Sequence, residues 1–191
     1  MQKLEFKNFD IKIYKNSLNC KEKVITPEQV HGNNIVEIIT GKENLENCDA
    51  LVTSSKGFKL GIKTADCASI CIGDGQKISI IHIGWRGLCS GLYEKVIGLF
   101  KSENLEIYVG PFLHSFQIQK DYCYDVIIKK FGNKFIKDSA DGVTFDFQGA
   151  IKSILPKNAI FDERNTKDDL TLPSNRRDKT RDRLLTVISF S

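Results

Sequence analysis

Seven short runs rich in β-branched residues, each bounded by turn-forming residues, constrain the fold of this 191-residue chain more than any other feature. Such runs are typical of β-strands, because branched side chains pack well on a pleated surface. The predicted strands cover residues 11–14, 34–39, 50–53, 69–72, 77–83, 106–109 and 184–190. A chain with this many short strands needs at least one sheet with a buried face.

Helical spacing is less frequent. Leu88, Leu92, Val96 and Phe100 lie four residues apart and predict one helix, and weaker patterns predict helices over 123–131 and 147–155. Strands outnumber helices and do not alternate with them regularly, which argues against a doubly wound parallel sheet. The pattern favours an α+β class, with mixed sheets covered by helices in a single domain over residues 1–191.

Composition excludes several classes of function. The net charge of +4 comes from 28 basic and 24 acidic residues that alternate along the chain, so nucleic acid is not an expected partner. The first twenty residues hold no continuous apolar segment of the kind found in signal peptides and membrane spans, so we expect a cytoplasmic protein. In a reducing compartment the six cysteines are expected to be free thiols or metal ligands.

Residues with metal-binding chemistry concentrate around two short segments, Thr64-Ala-Asp-Cys67 and His82-Ile-Gly-Trp-Arg-Gly. The turn at 73–75 predicts a hairpin that returns His82 to the level of Cys67. His31 lies in a loop before a predicted strand and is the natural third partner. One thiolate and two imidazoles suit zinc, and three protein ligands leave a fourth position open, as in catalytic sites.

Other interpretations of these residues remain. Cys67 and His82 are also compatible with ordinary core positions, and His31 with an exposed loop. Without a metal, Cys67 and His82 would suit a cysteine hydrolase, and with four ligands the site would suit a non-catalytic metal-binding module. A multicopper oxidase needs more ligands than three histidines and one methionine provide.

A set of motifs resembles the multicopper polyphenol oxidoreductase (laccase-like) family. They are, in the family's order, the segments that begin at Gln29, Asp49, Thr64, His82, Gly110 and Arg176. The resemblance implies a layered α/β/β/α sandwich and places His31, Cys67 and His82 on the family's zinc ligands, with copper as the alternative metal. It further implies a purine nucleoside phosphorylase with adenosine deaminase activity, whose partners are a purine nucleoside and phosphate.

Three further residues receive roles in this interpretation. Asp66 is the candidate carboxylate for proton transfer, while Arg86 and Arg177 are the candidates for binding phosphate. The chain departs from the family in two places. Its segment before Gln29 is short and contains no arginine, and residues 112–122 replace a stretch of small residues.

Overall fold

The computed structural model describes residues 1–102 and 104–191 and forms three β-sheets with helices packed against them. The strands are β1 Gln2–Glu5, β2 Phe9–Tyr14, β3 Ile35–Glu37, β4 Ala50–Thr53, β5 Leu60–Thr64, β6 Ala68–Gly73, β7 Ile78–Ile83, β8 Glu106–Val109, β9 Ser115–Ile118, β10 Ile136–Ser139, β11 Gly142–Asp146, β12 Ile160–Phe161 and β13 Leu184–Phe190. The helices are α1 Trp85–Cys89, α2 Leu92–Ile97, α3 Tyr122–Phe131, α4 Phe147–Ile154 and α5 Asn175–Asp178, with a 3₁₀ helix at Ser17–Asn19.

The largest sheet has six strands in the order β12-β8-β6-β7-β4-β3. It is mixed, because β3 pairs with β4 and β12 with β8 in parallel, whereas the central pairs are antiparallel. A four-stranded antiparallel sheet, β1-β2-β13-β5, and a three-stranded one, β10-β11-β9, complete the architecture.

The two faces of the six-stranded sheet bury different cores, which follows from the alternation of side chains along a strand. On β6, Ile70 and Ile72 belong to the core shared with the helices, while Cys71 belongs to the core shared with the four-stranded sheet. All three side chains are completely buried. This layered arrangement confirms the predicted α+β class with mixed sheets.

Each of the seven predicted runs overlaps a strand. The helix predicted from Leu88 to Phe100 is instead two short helices, α1 and α2, because Gly91 adopts φ 77° between them. The patterns over 123–131 and 147–155 correspond to α3 and α4. None of the helices in the described part of the chain has the length and apolarity to cross a membrane.

The buried cysteine of β6 provides a test of the core. Replacing Cys71 with alanine removes apolar contacts between the two sheets, so we expect the free energy of unfolding to fall by about 1 kcal/mol. Urea denaturation measures the change, and Cys20→Ala is the control, since Cys20 is only partly buried. Both variants should retain the metal content of the unmodified protein; loss of metal in Cys71→Ala would contradict a purely structural role.

Candidate metal centre

The β6–β7 hairpin brings two of the predicted ligands to one end of the six-stranded sheet. Ser69 pairs with His82, and Ala68 with Ile83. Because side chains two residues apart point to the same side of a strand, Cys67 lies on the same face as Ser69 and therefore beside His82. The hairpin predicted from the turn at 73–75 is confirmed.

The loop before β3 brings the third predicted ligand to the same place. One nitrogen each of His31 and His82 and the sulfur of Cys67 lie within 4.8 Å of one another, and the two imidazole centroids are 4.7 Å apart. His31 is exposed, Cys67 is partly buried and His82 is buried. His31 also has φ 62°, a conformation that costs energy in a residue other than glycine and is concentrated at functional sites.

Asp49, the residue directly before β4, contacts the His82 imidazole and the main chain of His31. Its Oδ1 lies 2.7 Å from His82 Nδ1 and accepts a hydrogen bond from the main-chain N–H of His31 at 2.9 Å. Its Oδ2 accepts from the N–H groups of Gly32 and Val30. With Nδ1 bound to a fully buried carboxylate, His82 directs Nε2 at Cys67. Sequence reasoning missed this role, although Asp49 heads one of the motifs quoted above.

The charges of these groups depend on one another. Burial opposes ionisation of Cys67, but hydrogen bonds from His31 and His82 outweigh it and lower the pKa of the thiol to about 7. Burial likewise opposes protonation of His82, but its hydrogen bonds with Asp49 and Cys67 raise the pKa of the imidazole to about 9. Burial of Asp49 opposes ionisation of its carboxyl group, but the hydrogen bond from His82 outweighs this effect, so the pKa of Asp49 is lowered. The cluster therefore stabilises a thiolate, the form of cysteine that binds metals.

Gly84 leaves the space that the cluster needs. A Cβ at this position would lie 3.1 Å from Cδ2 of His31 and 3.2 Å from Sγ of Cys67. Its φ of −93° is accessible to any residue, so the requirement for glycine here is steric. Two imidazoles, one thiolate and room beside them fit a tetrahedral zinc ion with one position left for water or substrate.

The cluster lies in the wall of a cavity of about 510 Å³. Aromatic side chains form part of its lining, namely Trp85, Phe116 and Phe147. Lys63, Asn175, Arg176 and Arg183 supply polar and cationic groups. The cavity therefore combines an apolar surface for a planar ring with positive charge for an anion.

The structure also places Asp66 in this cavity, directly before Cys67. It is 8% exposed and has φ 94°. Its Oδ1 accepts from the hydroxyl of Thr166 at 2.8 Å, and its Oδ2 accepts from the N–H of Arg176 at 2.7 Å. Asp66 thus lines the cavity, and its carboxylate connects the cysteine loop to α5.

The two predicted phosphate residues lie outside the cavity lining. Arg86 borders a neighbouring groove, where its guanidinium stacks 5.2 Å from the ring centroid of Trp85. Arg177 donates to Asp178 and to the carbonyl groups of a nearby loop, including those of Thr166 and Leu172. These bonds occupy Nε, Nη1 and Nη2 of Arg177, so its guanidinium stabilises the loop over residues 166–172.

Asp49 should be needed for metal affinity although it is not a ligand. Asp49→Asn removes the charge that orients His82, so we expect zinc to bind about 10- to 100-fold more weakly. Competition with a chromophoric chelator measures the affinity, and the exposed Asp141→Asn provides the same change of charge away from the site. Unchanged zinc affinity in a folded Asp49→Asn protein would show that His82 is oriented without this carboxylate.

Proteins with similar sequences match this chain over up to 88% of its length. A purine nucleoside phosphorylase of Aquifex aeolicus (strain VF5) is 31% identical over 174 residues, which cover 88% of this chain and 83% of that protein. Purine nucleoside phosphorylase YfiH of Shigella flexneri is 32% identical over 97 residues, 49% of this chain and 40% of that protein.

Solved structures show the same fold. A crystal structure of the Neisseria meningitidis protein NMB0706 superposes with a TM-score of 0.79 at 21% identity, covering 88% of this chain and 75% of that one. The profile of the family described as multi-copper polyphenol oxidoreductase laccase matches residues 8–191. The chain therefore belongs to the multi-copper polyphenol oxidoreductase laccase family.

Proposed function

We propose that this protein is a zinc-dependent purine nucleoside phosphorylase that also deaminates adenosine. The observation that carries the proposal is the cluster of His31, Cys67 and His82 in the wall of a cavity with aromatic and cationic groups. The names of its relatives, purine nucleoside phosphorylases, support the substrate class. Residues from Pro27 to Arg183 line the cavity, which supports one catalytic domain over residues 1–191.

Zinc is the metal that best suits these residues. His31, Cys67 and His82 would hold it, and a zinc ion in such a site supplies a Lewis acid and lowers the pKa of water. Copper also accepts imidazole and thiolate ligands, but a multicopper centre needs more histidines than the three in the chain. We therefore assign one metal ion to each chain.

The aromatic side chains of the cavity would bind the purine. Phe147 is 2% exposed and packs edge-on against Phe116, with centroids 5.7 Å apart, so the partly exposed rings of Phe116 and Trp85 are the ones that a base would contact. Planar bases stack on such rings with little dependence on their substituents. In phosphorolysis, the bond between the base and C1′ of ribose breaks and a bond from C1′ to an oxygen of hydrogen phosphate forms. The proton of hydrogen phosphate passes to the base nitrogen, which gives the free base and ribose 1-phosphate.

Asp66 is the proposed proton carrier in deamination, where water replaces the amino group at C6 of adenine and ammonia leaves. Its carboxylate would accept a proton from the attacking water and deliver it to the departing nitrogen. The hydrogen bonds from Thr166 and Arg176 hold the carboxylate in position for this exchange. Phosphorolysis does not require this transfer, so the two reactions should depend differently on Asp66.

A second function is favoured by the contacts of Cys67. The sulfur of Cys67 lies within 4.8 Å of an imidazole nitrogen of His82, and Nδ1 of His82 lies 2.7 Å from the buried Asp49 carboxylate, an order of groups found in hydrolases that use a thiolate nucleophile. In that function His82 would activate Cys67 and no metal would be required. Metal content distinguishes the two functions, and zinc binding that depends on Cys67 would reject the hydrolase.

The purified protein should contain about one zinc ion per chain. Cys67→Ser should lose the metal, and His31→Ala and His82→Ala should bind it more weakly, because each change removes one of three ligands. Elemental analysis by mass spectrometry measures the content. Cys20→Ser is the matched control and should keep its zinc. Equal zinc content in all of these variants would reject the assigned ligands.

Product chromatography after incubation with adenosine tests the reaction. With phosphate we expect adenine and ribose 1-phosphate, and with or without phosphate we expect inosine. Asp66→Asn should reduce inosine formation about 100-fold or more, because it removes a general base, and should affect adenine formation less. Asparagine tolerates the positive φ of this position, so the variant should fold.

Two outcomes would contradict these assignments. Equal loss of both products in a folded, zinc-loaded Asp66→Asn protein would assign Asp66 to maintenance of the cavity. Absence of any nucleoside turnover in unmodified protein that contains zinc would reject the purine nucleoside substrate class.

A further inference from the structure

We infer that Arg176, and neither Arg86 nor Arg177, binds the phosphate cosubstrate, an inference that rests on the proposed phosphorylase function. A phosphate-binding arginine must face the cavity that holds the metal cluster and must have N–H groups available. Arg176 meets both requirements. It lines the same cavity as His31, Cys67 and His82.

The side chain of Arg176 is already oriented. Its Cζ lies 4.2 Å from the ring centroid of Phe116, and its Nη1 donates to the carbonyl oxygen of Gln117 at 3.3 Å. Among residues 1–102 and 104–191, the guanidinium has no other hydrogen-bond acceptor. An arginine has five N–H donors, so enough remain for a bidentate contact with phosphate. Stacking on Phe116 reduces the entropy that such a contact would cost.

The main chain of Arg176 is held independently of its side chain. The N–H of Arg176 donates to Oδ2 of Asp66, the residue next to Cys67. This bond sets the distance between the start of α5 and the loop that carries the thiolate. A phosphate held by the guanidinium would therefore have a defined position relative to the metal cluster.

The other cationic side chains near the cavity are less suited than Arg176 to bind phosphate. Arg177 is bonded to protein acceptors through Nε, Nη1 and Nη2. Arg86 stacks on Trp85 and lines the neighbouring groove, which His31 also borders but Cys67 and His82 do not. Arg183 lines the cavity, but its Nη1 donates to two carbonyl groups of its own loop. Lys63 also lines the cavity and would contribute charge without the planar fork that matches phosphate.

Steady-state kinetics of the zinc-loaded protein test the inference with two substitutions. Arg176→Ala should raise KM for phosphate about 10- to 100-fold and leave KM for the nucleoside within about 2-fold, since a charge-assisted bidentate contact is lost. Arg176→Lys should have an intermediate effect, because lysine keeps the charge alone. Both variants keep the main-chain bond to Asp66, so the loop should remain folded.

Arg181→Ala is the matched control. Arg181 is exposed in the same segment, lies outside the lining of the cavity and carries the same charge. It should behave as the unmodified protein. Unchanged KM for phosphate in Arg176→Ala, or an equal increase in Arg181→Ala, would overturn the inference.

Calorimetric titration with inorganic phosphate separates this inference from the proposed function, because it needs no turnover. If the unmodified protein catalyses no phosphorolysis, the proposed function fails and the titration alone decides the role of Arg176. Binding that is lost in Arg176→Ala and retained in Arg181→Ala would support the phosphate site. Absence of binding to the unmodified protein, or equal binding to both variants, would overturn it.

Discussion

The buried carboxylate of Asp49 connects the parts of the chain on which the site depends. It accepts hydrogen bonds from the loop of His31 and from the imidazole of His82, and it lies directly before β4, whose first residue, Ala50, pairs with Ile81. A fully buried charge is costly unless it is paired and hydrogen-bonded. Four hydrogen-bond donors, three main-chain N–H groups and the His82 imidazole, offset that cost here. The Asp49 carboxylate therefore connects the His31 loop to β7 and also orients the His82 imidazole toward Cys67.

Two residues of the site have backbone conformations that are uncommon outside glycine. His31 and Asp66 both have positive φ, and both form hydrogen bonds with residues of other segments. Conformations of this kind cost about 1–3 kcal/mol each and persist where the surrounding structure enforces them. The rigid six-stranded sheet next to the loops provides that enforcement, and Gly84 relieves the remaining crowding between His31 and Cys67.

Much of the central sheet could be predicted from the sequence, because its buried strands are short runs rich in apolar residues and bounded by turn-forming residues. The polar strands β10 and β11 could not, since few of their side chains are buried. The meeting of Cys67 with His82 followed from a hairpin and an alternation of side chains. The partnership of Asp49 with His82, 33 residues apart, depends on strand order, which local patterns do not specify.

Arg176 and Arg177 are a second case in which local sequence patterns do not specify the contacts of a side chain. Successive residues of a helix point about 100° apart, so neighbouring arginines of α5 face different surroundings. One stacks on Phe116 at the cavity, and the other is bonded to loop carbonyl groups. The partner of Arg176, Phe116, lies in β9, far from α5 along the chain. The three predicted metal ligands and Arg176 therefore lie on separate segments of the chain, and the hydrogen bond from the N–H of Arg176 to Asp66 connects α5 with the loop of Cys67.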